Sequence, residues 1–285
     1  MRLPRKAWLI VLGLAAAAVA FPLWLLFNAS AMPIVRRAEV VLPFPKNAPR
    51  RPITIALLTD THLSGPDNGP RRMARIVAQV NALKPDLILL GGDYVGDDKG
   101  GATFDARASI APFAALRARL GVIAVLGNHD SRSPKNTVAL SRPEWKAAFA
   151  RMGVRLLLNG VARAGPLAIV GLEDPYTRRP DIAGTMKRAR SKGGAPVILA
   201  HGPDIFPALP NRRLLTLVGH THCGQIALPF KGIVYVPSRY GVRYACGLYR
   251  DGRKTMIVSG GVGTSGLPFR MLAPPDIWLV TIRPE

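Results

Sequence analysis

Five short polar clusters carry the chemistry in this sequence: Asp60-Thr61-His62, Gly92-Asp93, Gly127-Asn128-His129-Asp130, His201 and Gly219-His220-Thr221-His222. Together they contain all five histidines of the 285-residue chain. Any one histidine alone reads equally well as a structural group. Five gathered into such clusters, with none on a helix face, point to a metal or catalytic site. Asp, His and Asn are oxygen and nitrogen donors suited to Mn, Fe, Zn or Mg. Asp60 and His62 are two residues apart, so on extended backbone both side chains can face one way, and His220 and His222 repeat the spacing. The donors outnumber what one tetrahedral ion needs. Two divalent ions sharing a bridging carboxylate would use them all, an arrangement that serves in-line displacement at phosphorus. Cys223 has no cysteine partner at motif spacing, which argues against a thiolate-rich site.

Each early cluster follows an apolar run of strand length. Ile53–Leu58, Asp86–Leu90 and Val122–Leu126 read as buried strands. Met73, Ile76, Val77 and Val80 recur at helical spacing, and Lys84-Pro85 stops that helix. Residues 105–119 read as a further helix with Ile110, Phe113 and Leu116 on one side, and Trp145–Phe149 as a shorter one. Strand character then dominates at 155–158, 167–170, 197–200, 214–218, 233–236, 256–259 and 277–282. With no internal repeat or linker across 53–285, one α/β domain with two packed sheets is the economical reading. In α/β folds ligands bind beyond the carboxyl ends of strands, which is where these clusters fall.

The clusters resemble, complete and in order, the signature of the calcineurin-like metallophosphoesterase superfamily. The resemblance covers about residues 53–285. Its closest form is a branch of membrane-associated or exported bacterial phosphoesterases, through His201-Gly202-Pro203-Asp204, Gly219–Gln225, Gly247-Leu248-Tyr249, and Ser259–Gly263 followed by Pro268-Phe269-Arg270. It implies a two-sheet β-sandwich flanked by helices, the four-layer fold of that superfamily. It also implies two divalent metal ions. Asp60, His62 and His222 would hold one, Asn128, His201 and His220 the other, and Asp93 would bridge them. The implied reaction is direct hydrolysis of a phosphodiester or pyrophosphate bond by a metal-bridging hydroxide. His129 would lie beside the metals as general acid, with Asp130 orienting it. Cys223 stands where this branch often has glycine. It reads either as a small buried thiol or, in an exported domain, as a partner for Cys246.

Residues 1–27 read as a membrane segment. Arg2, Arg5 and Lys6 precede an uncharged run from Ala7 to Phe27, about the length that crosses a hydrocarbon core of ~30 Å. An uncleaved anchor, a cleavable signal ending near Ala29-Ser30-Ala31 and a buried soluble helix all fit, the run's length favouring the anchor. Residues 28–52, with five prolines, read as a tether with an edge strand over Ala38–Leu42, and 53–285 as the phosphoesterase domain. Basic residues flank both ends of the apolar run, so the positive-inside rule nearly balances. The expected location is a bacterial inner membrane with the catalytic domain outside, the cytoplasmic face remaining open.

Lys and Arg total 39 against 17 Asp and Glu, a net +22 that suits an anionic membrane surface or phosphorylated substrates and excludes an acidic, calcium-storing protein. An arginine-rich proteome would produce the same excess. A phosphorylated lipid or small molecule is the expected substrate. Alternatives are a UDP-2,3-diacylglucosamine pyrophosphatase-type hydrolase, which needs the cytoplasmic face, a phosphomonoesterase, a nuclease or a non-enzymatic membrane scaffold. No zinc-finger spacing or aromatic-interleaved basic stretch supports nucleic-acid binding.

Overall fold

The computed structural model describes residues 4–131, 139–177 and 179–285; Arg2 of the N-terminal basic flank lies outside them. In chain order the strands are β1 (Ile34–Leu42), β2 (Ile53–Leu58), β3 (Leu87–Leu90), β4 (Val122–Ala124), β5 (Val154–Leu156), β6 (Gly160–Ala164), β7 (Leu167–Gly171), β8 (Ala195–Leu199), β9 (Leu214–Val218), β10 (Ala227–Leu228), β11 (Gly232–Ile233), β12 (Gly247–Asp251), β13 (Lys254–Val258) and β14 (Asp276–Pro284). The α-helices are α1 (Arg5–Ser30), α2 (Pro70–Ala82), α3 (Ala106–Ile110), α4 (Arg142–Arg151) and α5 (Ile182–Lys192). Two six-stranded sheets result, ordered β1-β14-β2-β3-β4-β5 and β12-β13-β9-β8-β7-β6, with β10 and β11 forming a separate hairpin.

Period-2 alternation divides the central strands between two buried faces. Ile55, Leu57, Leu87 and Leu89 join Val197, Leu199, Leu215, Leu217 and Ile257 in one cluster between the sheets. Ala56, Leu58, Ile88 and Leu90 turn the other way, onto Met73, Ile76 and Val80 of α2 and Trp145 and Phe149 of α4. Val218, Met256 and Val258 meet Met186 and Ala189 of α5 on the outer face of the second sheet. Strands buried on both faces appear as uninterrupted apolar runs, hence Ile-Ala-Leu-Leu in β2 and Leu-Ile-Leu-Leu in β3. The chain is thus a mixed α/β fold, two multi-stranded sheets flanked by helices.

Several sequence expectations change; the strand expected at 233–236 shortens to β11, which ends at Ile233. Residues 105–119 form only the five-residue α3 and a 3-10 helix over Ala111–Ala115, because Pro112 lacks an N–H for the α pattern. Helix α5 escapes apolar periodicity, since its buried face is only Thr185, Met186 and Ala189. In the stretch 28–52 the edge strand expected over Ala38–Leu42 is present and longer. Pro33 and Pro43 bracket a nine-residue strand, β1, that pairs in parallel with β14 from Ile34↔Asp276 to Leu42↔Pro284.

Helix α1 is long and apolar enough to cross a membrane. Its C-terminal end is docked on the catalytic domain. Leu25 and Ala29 are buried, and the Arg270 backbone N–H donates to Leu25 O at 3.1 Å. The buried Arg72 guanidinium donates to Ser30 O, Ala31 O and Val262 O at 2.9, 2.6 and 2.9 Å. The bonds to Ser30 O and Ala31 O satisfy carbonyls that the helix end leaves without partners.

Candidate metal centre

Parallel pairing of β2-β3-β4 and of β7-β8-β9 brings their carboxyl ends to one region, and the turns leaving β2, β3, β4, β8 and β9 carry the polar clusters. Asp60, His62, Asp93, His220 and His222 all adopt left-handed backbone, with φ of 51, 36, 55, 71 and 52°. Such kinks are costly and cluster at functional sites. They turn carboxylates and imidazoles back over the strand ends. Glycine is required beside them: a Cβ on Gly219 would collide with the Asp60 carboxylate, and one on Gly127 with that of Asp93.

Two buried triads follow, Asp60-His62-His222 and Asp93-His201-His220, each with ligand atoms within 4.8 Å of one another. Asp93 Oδ2 stands between them, 3.4 Å from His62 Nε2 and 3.1 Å from His201 Nε2. His222 Nε2 is 3.7 Å from Asp60 Oδ1, and His201 Nε2 is 3.1 Å from His220 Nδ1. The outward ring nitrogens are occupied. His62 Nδ1 faces Val95 O at 3.2 Å, His201 Nδ1 faces Gly91 O at 3.0 Å and His220 Nε2 faces Pro237 O at 3.0 Å. An N–H donated to each carbonyl fixes the tautomer and aims the other nitrogen's lone pair inward, the usual outer support of a metal-binding histidine. Asp60 is braced by the Thr59 hydroxyl at 2.7 Å and by His220 N–H at 3.0 Å to both oxygens.

The donor set fits cations. Burial pushes Asp60 up to about 6 and pulls His62 and His220 down to about 3, the neutral form that binds metal. Burial also pulls at His201, but the Asp93 carboxylate outweighs it and holds the ring well above its ordinary value. A positive charge among these carboxylates is what the site favours. His62 Nε2 and the amide oxygen of Asn128 are buried without a hydrogen-bond partner among the described residues. Acceptors left unpaired at this depth are costly unless a further ligand takes them.

Residues 53–224 match the family described as calcineurin-like phosphoesterase. The chain belongs to that family. It is 31% identical over 215 residues to the uncharacterized metallophosphoesterase YkuE of Bacillus subtilis (strain 168), an alignment covering 73% of this chain and 71% of YkuE. It is 32% identical over 210 residues to the phosphodiesterase YaeI of Escherichia coli (strain K12), covering 70% and 71%. A transmembrane protein with metallophosphoesterase domain from Danio rerio is 29% identical over 249 residues, 81% of this chain but 53% of that longer protein. With two Asp/His clusters placed for two divalent ions, this phosphoesterase is a metal-dependent hydrolase.

The surroundings of His129 differ from the sequence expectation. Its ring pairs not with Asp130 but with Asp97, Nδ1 to Oδ1 at 3.1 Å. Burial opposes protonation of His129, yet Asp97 and Asp93 outweigh it and raise the ring above its ordinary value. Asp130 is fully engaged elsewhere: it accepts backbone N–H groups of Asp93 and Gly127 on Oδ2, at 2.9 and 2.8 Å, and of Tyr94 and Val95 on Oδ1, at 2.8 and 3.2 Å. It ties the β3 turn to the β4 turn. Asp130→Asn should therefore lower the unfolding free energy by about 1–3 kcal/mol, the cost of amides left facing an NH2, and with it the denaturant midpoint. Leaving-group dependence of the residual activity should stay as in the parent. A midpoint unchanged in urea titration, with altered leaving-group dependence, would restore Asp130 to the chemistry.

Sequence reading missed Asp97, Tyr176 and the work of Arg270. Tyr176 stacks on His220 with ring centroids 3.9 Å apart. Arg270 is completely buried and donates to the carbonyls of Gly260, Gly263, Ala273 and His222 at 2.7, 2.6, 2.9 and 3.3 Å. Neither Asp97 nor Tyr176 has a period or motif that would reveal it. Cys223 and Cys246 form a disulfide, their Cα atoms 4.7 Å apart, so the alternative of a buried free thiol is set aside.

Proposed function

We propose that this chain hydrolyses a phosphodiester or pyrophosphate bond in a lipid- or envelope-linked substrate at the outer face of a bacterial inner membrane. The observation that carries the reading is the pair of Asp/His triads meeting at Asp93. Asp60, His62 and His222 would hold one divalent ion, Asn128, His201 and His220 the second, and Asp93 both. Such ions supply Lewis acidity, offsetting charge on phosphoryl oxygens and bringing the pKa of a water toward neutrality. His129 then holds the proton for the leaving oxygen. Asp97 fixes Nδ1, which leaves Nε2 free to give its proton. Asn128, being neutral, limits the negative charge that meets an anionic substrate.

YaeI, a phosphodiesterase by name, supports the diester. Helix α1 supports the membrane location, with residues 1–27 as anchor, and the net +22 suits anionic headgroups. The Cys223–Cys246 disulfide fits an oxidising compartment and weighs against UDP-2,3-diacylglucosamine cleavage at the cytoplasmic face.

Assays with Mn²⁺ on bis-p-nitrophenyl phosphate and p-nitrophenyl phosphate test the reading, diester turnover being expected to exceed monoester turnover. No metal-dependent release from either would sink it. His129→Ala should keep its metal and lose about 10²–10⁴-fold in turnover of esters with poor leaving groups. The loss should shrink with nitrophenol, which departs without a proton. Equal losses on both would remove His129 as the acid.

A further inference from the structure

The hairpin β10–β11 begins directly after the metal-site turn and ends on it. His222 and Cys223 precede it, and Pro237, just past it, accepts the hydrogen bond from His220. Ala227↔Ile233 and Leu228↔Gly232 pair across it. It projects large apolar side chains into solvent: Leu228, Phe230, Val234 and Tyr235, the last 72% exposed. Two more, Leu267 and Leu272, are 59% and 63% exposed on the neighbouring loop.

That loop is stapled to the hairpin. Gln225 Nε2 donates to Ser265 O and Leu267 O, Met271 N–H donates to Gln225 O, and Ala227 N–H donates to Met271 O. The same loop holds α1 through Arg270 N–H to Leu25 O. Leu25 lies two residues before the end of the uncharged run at Phe27. A span of about 20 residues fills the hydrocarbon core, so Leu25 stands at its edge. Leu267 and Leu272, within three residues of Arg270, therefore lie near that edge, and the hairpin is joined to them through Met271. Single exposed apolar residues are ordinary; a contiguous set joined to a membrane helix is not. Tyr235 suits the interfacial belt, and Lys231 at the hairpin turn suits anionic headgroups.

We infer that the β10–β11 hairpin and the loop 265–272 form a second contact with the bilayer that α1 crosses, seating the dinuclear site at the lipid surface. The inference rests on the reading of α1 as an anchor. Its consequence is a substrate class: phosphoesters carried by lipids reach the site along the leaflet, while soluble ones must arrive from bulk water.

The test uses the full chain in phosphatidylglycerol-containing liposomes, with nitroxide labels on Phe230→Cys and Leu272→Cys. The native cysteines are paired, so the label goes to the introduced thiol. Leu14→Cys in α1 and Arg151→Cys on the exposed face of α4 are the references. Oxygen should relax the labels at 230 and 272, and a nickel chelate should reach them several-fold less than it reaches 151. Nickel access at 230 and 272 equal to that at 151, with 14 shielded, overturns the second contact and leaves the anchor standing. Nickel access at 14 as well overturns both.

Discussion

Asp93→Asn should leave a folded protein with no more than one divalent ion per chain and at least about 10³-fold less hydrolysis of bis-p-nitrophenyl phosphate, the scale of removing a preorganised electrostatic group. The direction follows from the two oxygens of Asp93. Oδ1 accepts the backbone N–H of His129 at 2.8 Å, and Oδ2 faces His62 and His201. An asparagine placed here keeps its carbonyl on the His129 amide. Its NH2 is then left where Oδ2 stood, turned toward the imidazole nitrogens of His62 and His201. A donor has replaced the carboxylate oxygen that faces a histidine of each triad. Charge falls in the same direction, because the substitution removes a carboxylate from among buried, mostly neutral rings. Elemental analysis of protein loaded with Mn²⁺ and passed through a desalting column reads the outcome. Two ions per chain retained with parent-like turnover would show that Asp93 does not bridge.

Why Asp93 stood out in the sequence and Asp97 did not is a matter of how each is positioned. Asp93 is at the carboxyl end of β3, a run of four buried apolar residues, and Gly92 ahead of it supplies the left-handed turn, φ 94°. Strand, glycine and carboxylate are all local, so the sequence displays them. Asp97 lies in the irregular chain beyond, and it meets His129 only because β3 and β4 are neighbours in the sheet. That contact is tertiary, and nothing within a few residues of Asp97 announces it. The same division runs through the fold. β2, β3, β8 and β9 are legible as apolar runs because both of their faces are buried. β6 and β12 lie at the two edges of the second sheet, and their mixed burial leaves no apolar run to mark them. Asp130 shows the reverse error: it sits beside the general-acid candidate in sequence, yet its carboxylate turns to backbone amides.

Arg270→Met should destabilise the chain by about 3–5 kcal/mol, the scale of several buried carbonyls losing their donor at about 1–3 kcal/mol each before relaxation. Methionine approximates the volume of the arginine stem, so the loss is not that of a cavity. What is lost is a set of donors. The carbonyls of Gly260, Gly263, Ala273 and His222 all point at one guanidinium in an interior from which water is excluded. Burial lowers that guanidinium only to about 10, so it stays charged at neutral pH. Lysine is no substitute, since one ammonium cannot span carbonyls arranged for a planar fork. The damage should reach the metals, because Val262 N–H and Gly263 N–H bind Thr59 O and Asp60 O at 3.2 and 2.8 Å, on the same loop that Arg270 braces. Metal affinity should drop about 10–100-fold, as for loss of an outer-shell support. Denaturation in guanidinium and competition with a chelator measure the two effects separately. If Arg270→Met unfolded at the parent midpoint, this guanidinium would not be what holds the glycine loop and His222 together.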